Sequence, residues 1–320
     1  GRSIRMTTPD VSVLLATRDR ADTLADTLAH FARAATSADV AAEFIVVDNG
    51  SADATPSILK DRSDDLPLVA LSEPRPGKNR GLNLGLAHAR GSLVVFTDDD
   101  VVPADGWLDA LWRASGEWDE YDIFGGRVIP SYPTGLGPPF TDREFAEWAY
   151  SQWEPAEEEG PTSSFPLGPN FAVRADSLAG ITLDETIGPG TKSGAMGSET
   201  SLIQSLLDRG SSIVYVPDAA VHHLVTEEQL SRPYLLRRAY RLGRGVARWD
   251  VDDDSPRIAG VPRYLWREVV ETWVGARLPW RADLARFRAQ LGHERAKGVI
   301  AEYRSSRSSS GGSGSASREE

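Results

Sequence analysis

Three adjacent carboxylates, Asp98, Asp99 and Asp100, directly follow the apolar run Leu93-Val94-Val95-Phe96. Like charges this close repel, so protonation or a cation must relieve them. Carboxylate oxygens suit Mg2+ or Mn2+, and such ions take substrate phosphates as further ligands. A solvated acidic loop capping the next helix is the alternative. Asp48-Asn49-Gly50-Ser51 closes a second apolar run. A carboxylate there can accept from a base or a ribose hydroxyl, although the same residues also make a good turn. Pro76-Gly77-Lys78-Asn79-Arg80-Gly81 sets cations and a flexible backbone before a helix. That arrangement attracts anions, and a plain surface loop would read the same. Ser198-Glu199 opens a helix, where Glu199 serves either as a base or as a dipole cap. His222 and His223 follow a strand, whose alternation would send them to opposite faces, so at most one should reach a metal.

The elements that must carry these groups follow from hydrophobic period. Residues 11–16 (VSVLLA), 44–47, 68–71 and 93–96 are short apolar, strand-like runs. Between them Leu24, Leu28 and Phe31 recur at helical spacing, and 53–60 and 79–89 read as helices. Strands alternating with helices imply an α/β fold whose mostly parallel sheet is covered on both faces. Ligands bind beyond the carboxyl ends of such strands. Those ends carry Thr17 and Arg18, Asp48 and Asn49, and Asp98 to Asp100, so a site is expected along one edge. Later segments read as a helix at 107–112, strands at 123–129, 171–174 and 213–216, and a helix at 198–208 with Ser198 as N-cap and Gly210 as stop. Residues 231–249 read as a basic helix and 264–301 as further helix.

Residues 130–169 are rich in Pro, Gly and aromatics, with a helix-like insert at 145–153. Long connections of this kind are usually functional or disordered. The stretch is therefore expected to act as a lid that orders over the donor. A fixed insert held by Trp148 and Trp153 is the rival.

The chain has 320 residues and a net charge of −12. Nonspecific nucleic-acid binding over the whole surface is excluded by that balance. With no cysteine there are no disulfides or thiolate chemistry. No apolar stretch approaches ~20 residues, so no transmembrane helix is expected. There is no signal-peptide core, and a cytoplasmic location, including the inner face of the membrane, is expected. Met6 reads as the natural start after a cloning scar, with 1–10 as leader. The Ser- and Gly-rich stretch 305–320 reads as a flexible tail. Arg232, Arg237, Arg238, Arg241 and Arg244 crowd the basic helix across 232–248. They form a solvated face, a diphosphate clamp or a peripheral contact with anionic lipid.

The order VSVLLATRDR, EFIVVDNGSAD, GKNRGLNLGLAHARG and LVVFTDDDVVP, with GPNFAVR and GSETSLIQSLLDRG further on, resembles the family 2 glycosyltransferases. The likeness spans residues 11–223. It implies a GT-A αβα sandwich over 11–225, with a nucleotide-binding half to about 102 and an acceptor-side half after it. A helical extension would cover 226–304. By this resemblance Thr17, Arg18, Arg20, Asp48, Asn49, Lys78 and Asn79 contact the nucleotide. Asp98 and Asp100 form the metal-binding pair with Mn2+ or Mg2+, Asp99 lies by the ribose, and His223 or its neighbour completes the metal site. Asn170 hydrogen-bonds the donor sugar. Glu199, where the family usually has Asp, is the base of an inverting transfer from a nucleoside-diphosphate sugar, with a lean to uracil. The acceptor is a glycan, a lipid-linked glycan or a small molecule. A nucleotidyltransferase would typically carry a Gly-rich loop after the first strand, and ATRDR is not one. A noncatalytic nucleotide-sugar binding protein would not need the intact aspartates and Glu199.

Overall fold

The computed structural model describes residues 8–61, 66–249 and 255–310. The expected cloning scar and the tail beyond 310 lie outside the described residues. The chain divides into two units. The first runs through β1 (Val11–Thr17), α1 (Ala21–Ser37), β2 (Ala42–Asp48), α2 (Thr55–Asp61), β3 (Leu68–Ser72), α3 (Lys78–Leu86), β4 (Leu93–Thr97), β5 (Val101–Pro103), α4 (Trp107–Glu117), β6 (Ile123–Ser131), α5 (Arg143–Tyr150), β7 (Gly160–Thr162), β8 (Asn170–Arg174), α6 (Ser198–Leu207) and β9 (Ile213–Leu224).

These nine strands form one sheet in the order β3-β2-β1-β4-β8-β6-β9-β5, with β7 on β9. The β3-β2-β1-β4 half is wholly parallel. Its strands read as continuous apolar runs because both faces are covered. Val13 and Leu15 pack with Phe31 of α1 and Trp107 and Leu111 of α4. The intervening Leu14 joins Ile45, Val47, Phe96, Leu82 of α3 and Leu202 of α6 on the other face. The second half is mixed: β8 runs antiparallel to β4 and β6, while β9 runs parallel to β6.

Three sequence expectations change here. The strand expected at 213–216 continues to Leu224, past Pro217, because the register with β6 shifts between Gly126 and Val128. Both histidines therefore lie within the strand rather than after it. The expected lid is largely built into the unit. Trp153 is 1% exposed and donates from Nε1 to Ser164, residues 128 and 153 bridge, and β7 adds to the sheet. Trp153, not Trp148, is the anchor of this insert.

The second unit holds 137–139, 187–197 and 227 onward. It contains α7 (Glu227–Leu230), α8 (Arg232–Trp249), the hairpin of β10 (Arg257–Ile258) and β11 (Val261–Pro262), α9 (Arg263–Arg277) and α10 (Asp283–Ser310). Helices α8 and α10 approach backbone to backbone, since a Cβ on Gly243 would lie 1.9 Å from the Arg295 carbonyl oxygen. The further helix expected over 264–301 is divided between α9 and α10. Pro279 disfavours helical backbone at Leu278, which sits at φ −68°, ψ 111°. The tail expected from 305 is helical to Ser310, because the first glycines that break the pattern come only at 311.

Candidate functional site

Parallel pairing brings the ends of β1, β2 and β4 to one edge. Thr17 lies opposite Asp48 in register, and β1 is flanked by β2 on one side and β4 on the other. The crevice at such a point is where open α/β sheets bind ligands. The acidic run Asp98 to Asp100 leaves β4 there and enters β5.

Pairing also explains how a distant histidine arrives. In the β5–β9 ladder Val101 faces His223, and Leu224 N–H donates to the Asp100 carbonyl at 2.8 Å. His223 is buried and His222 exposed, as strand alternation requires. His223 Nδ1 lies 2.8 Å from the Tyr150 carbonyl, which can only accept, so Nδ1 carries a proton. That leaves Nε2 facing Asp100 Oδ1 at 3.5 Å. An imidazole whose second nitrogen is fixed by a carbonyl has the orientation of a metal ligand.

The remaining carboxylates are held by cations and hydroxyls. Thr17 Oγ1 donates to Asp99 Oδ2 at 2.6 Å, and Thr27 Oγ1 donates to the Asp99 carbonyl at 2.9 Å. Arg20 reaches Asp99 at 3.5 Å and Asp100 at 3.3 Å. Lys78 Nζ pairs with Asp98 Oδ1. Burial, then the charge of Asp100, pushes Asp99 up to about 6. Burial also works to raise Asp100, but the His223 hydrogen bond and the nearby cations hold it below the usual range. Burial opposes the charge on His223, and Asp100 overcomes it and raises the histidine. Burial likewise opposes the charge on Lys78, which Asp98 and then Glu199 restore, so its pKa is raised.

Glu199 stands in the first turn of α6. A Cβ on Gly168 would lie 2.2 Å from its Oε1, so the glycine makes the space that this carboxylate occupies. Lys78, Thr97, Gly168, Ser198 and Glu199 line the polar part of a small pocket of about 10 Å³, room for about one water, whose apolar lining is Leu82, Phe96, Phe171, Leu183 and Leu202. Thr97 Oγ1 donates to the Pro169 carbonyl at 2.8 Å, which ties β4 to this wall. Ser198 Oγ and Asn79 Oδ1 are buried with no hydrogen-bond partner, although Asn79 Nδ2 donates to the Asp184 carbonyl.

Other expected contacts are arranged differently. Asn170 is fully buried. Its Nδ2 donates to the Arg127 and Ala219 carbonyls and its Oδ1 accepts from Trp107 Nε1. The expected contact with a donor sugar is thereby corrected: this side chain clamps β6, β9 and α4 and has no group to spare. Asn49 is similarly consumed, donating to the carbonyls of Glu73 and Arg75 and accepting from Gly77 N–H, so it shapes the loop that presents Lys78. Asp48 accepts from Ser51 N–H at 3.1 Å, and Arg18 is exposed beside Asp19. Thr27 escaped the sequence reading, and Gly168 entered it only within the motif GPNFAVR, with no role of its own. Thr27 looks like any polar residue of an amphipathic helix, and Gly168-Pro169 looks like a turn.

Among the described residues no group of three or more His, Asp or Glu side chains is gathered to hold a metal ion. The pair Asp100 and His223 nonetheless fits a divalent cation by chemistry, since such ions accept one or two protein ligands together with phosphate oxygens. Asp98, expected beside them, is turned to Lys78.

Solved structures similar to this chain include the mannosyltransferase PcManGT from Pyrobaculum calidifontis in complex with GDP-Man and Mn2+. It is 18% identical with a TM-score of 0.60, over 93% of this chain and 88% of that one. Residues 1–349 of S. aureus TarS in complex with UDP-GlcNAc are 16% identical with a TM-score of 0.53, over 93% and 92%. A mycobacterial protein is 20% identical with a TM-score of 0.51, over 78% of each chain. At these identities the likeness concerns the fold, which is GT-A. No curated relative matches at a significant level. The model of glycosyl transferase family 2 matches residues 12–181, from β1 through the acidic edge and β8. That match takes in more than half of the sequence and the strand ends that gather the acidic run, and by it the chain belongs to glycosyl transferase family 2.

Proposed function

We propose that the protein is an inverting glycosyltransferase that moves a sugar from a nucleoside-diphosphate sugar to an acceptor hydroxyl, with Glu199 as the base. The observation that carries this reading is the placement of Glu199 and Lys78 in one pocket beside the acidic edge. Similar folds hold UDP-GlcNAc in TarS and GDP-Man in PcManGT, and our reading for this chain leans to a uridine donor.

In this account Asp48, Thr17 and the exposed Arg18 meet the nucleotide, and the loop shaped by Asn49 delivers Lys78. Asp100 and His223 would hold a Mn2+ or Mg2+ ion, which supplies positive charge to the leaving diphosphate. Lys78, paired with Asp98 in the free protein, would exchange that partner for the phosphate oxygens of a bound diphosphate. Arg20 anchors Asp99 and Asp100 so that the acidic run does not spring apart. The Glu199 carboxylate takes the proton of the acceptor hydroxyl as its oxygen attacks the anomeric carbon opposite the diphosphate. No separate acid is needed for a leaving group that departs as a diphosphate, unlike the case in an inverting glycosidase.

Release of nucleoside diphosphate from a panel of nucleotide sugars, with and without candidate acceptors, tests this. Glu199→Gln should keep donor affinity and lose ~100-fold or more in turnover. Undiminished turnover in that variant would leave Glu199 a helix cap.

A further inference from the structure

The basic helix α8 was one candidate for contact with anionic lipid, and its arginines are engaged elsewhere. Arg232 pairs with Asp283, Arg237 with Glu228, and Arg244 and Arg248 share Glu302 at 2.7 Å each. Arg241 donates to the Gly194 carbonyl. A helix whose charges are met by acids of its own unit offers little to an anionic surface.

Helix α9 differs. Leu265 and Gly275 face inward, and Val261 and Leu265 belong to the small core of this unit. On the opposite side Val270, Trp273, Val274 and Arg277 follow at helical spacing and are all exposed, Val270 by 59%. Isolated exposed apolar residues are ordinary, but a contiguous stripe marks an interaction surface. Past the helix end, Trp280 is 77% exposed and Leu284 is also exposed. The guanidinium of Arg277 lies 4.2 Å over the Trp273 ring, so cation and indole share one surface. From 263 to 288 the sequence holds six arginines against Glu268, Glu271 and Asp283; Arg267 pairs with Glu271 and Arg286 with Asp283, and the arginines still outnumber the acids two to one in a chain of net −12.

We infer that the α9 face and the turn through Trp280 dock on an anionic lipid bilayer. The chemistry that identifies the occupant is the combination of both features. Aliphatic and indole groups enter the boundary between headgroups and acyl chains, where tryptophan is favoured. Arginines flanking them meet lipid phosphates, and each basic residue near a negative leaflet adds attraction that salt screens. An apolar partner protein would gain nothing from the arginine excess. A purely electrostatic partner would gain nothing from Val270, Trp273 and Trp280.

Sedimentation of the full chain with phosphatidylcholine vesicles, with and without phosphatidylglycerol, tests the inference. The chain should pellet with the anionic vesicles only, and less so as salt rises. Trp273→Ala and Trp280→Ala should each weaken partitioning by about tenfold, the scale of burying one large apolar side chain. Circular dichroism checks that both variants fold, which their exposure favours. Arg237→Ala on α8 should bind vesicles like the parent. Failure to pellet with anionic vesicles, or undiminished binding by the double tryptophan variant, would overturn the proposal. So would a concentration-dependent dimer that Trp280→Ala disperses in a chain without vesicle affinity, since a second copy would then be what covers the face.

Discussion

Asp99 and Asp100 differ by one position and by environment. Burial works to raise both and both meet Arg20, but Asp100 also faces an imidazole, whereas Asp99 has a hydroxyl and feels the charge of Asp100. In the metal-free protein Asp99 therefore keeps a proton up to about pH 6, above the ordinary aspartate value near 3.9. Between those values the native state binds a proton that the unfolded chain has released, so stability falls as pH rises through that window. Chemical denaturation in the presence of a chelator should show that fall in the parent and not in Asp99→Asn. Gly168 allows a second forecast at the same scale. Alanine there collides with Glu199 Oε1, so Gly168→Ala should lower turnover by ~10-fold or more by moving the base. Donor affinity should change little, and a parallel loss of affinity in a titration would mean that Gly168 matters to the donor side instead. The sequence pointed to Asp98, Asp99, Asp100, Lys78 and Glu199 because charge at a strand end or a helix start has a cost that must be met. It misled at Asn170, since an amide that holds three elements together and one that meets a sugar look alike until their partners are known.

Among the elements, the parallel half was legible because strands buried on both faces read as unbroken apolar runs, such as 11–16 and 93–96. Strands β5 and β7, of three residues each, carry no periodic signal. Yet β5 is what sets His223 against Asp100, so the histidine's arrival could not be read from its neighbours. The continuation of β9 past Pro217 was hidden for a similar reason, as proline ordinarily ends a strand and here sits where the register shifts. The segment from 130 to 169 reads as a loose lid by composition. Its order comes from long-range contacts, with Trp153 in the core and Glu159 accepting from Arg113 and Trp118. Amides of α5, residue 153 and β7 should accordingly exchange equally slowly with and without nucleoside diphosphate and Mn2+. A gain in protection confined to this insert would restore the lid.

At the scale of the molecule, one unit carries the sheet and the acidic edge, and the other carries helices and a tryptophan-lined face. No helix among the described residues is long and apolar enough to cross a membrane, so lipid contact of the kind inferred would be peripheral. The overall acidity of −12 would repel a polyphosphate, and the local cations Arg20 and Lys78 are what make an anionic donor acceptable at this edge. On the proposed reading, this edge binds a nucleoside diphosphate with a divalent ion held by Asp100 and His223. The decisive measurement is calorimetric titration of UDP and GDP into the parent and into Asp100→Ala, with Mn2+ and then with a chelator. The parent should bind in Mn2+, and that binding should weaken by at least ~10-fold, about 1.4 kcal/mol, on chelation and in the variant alike. Equal affinity in all four conditions would contradict that reading.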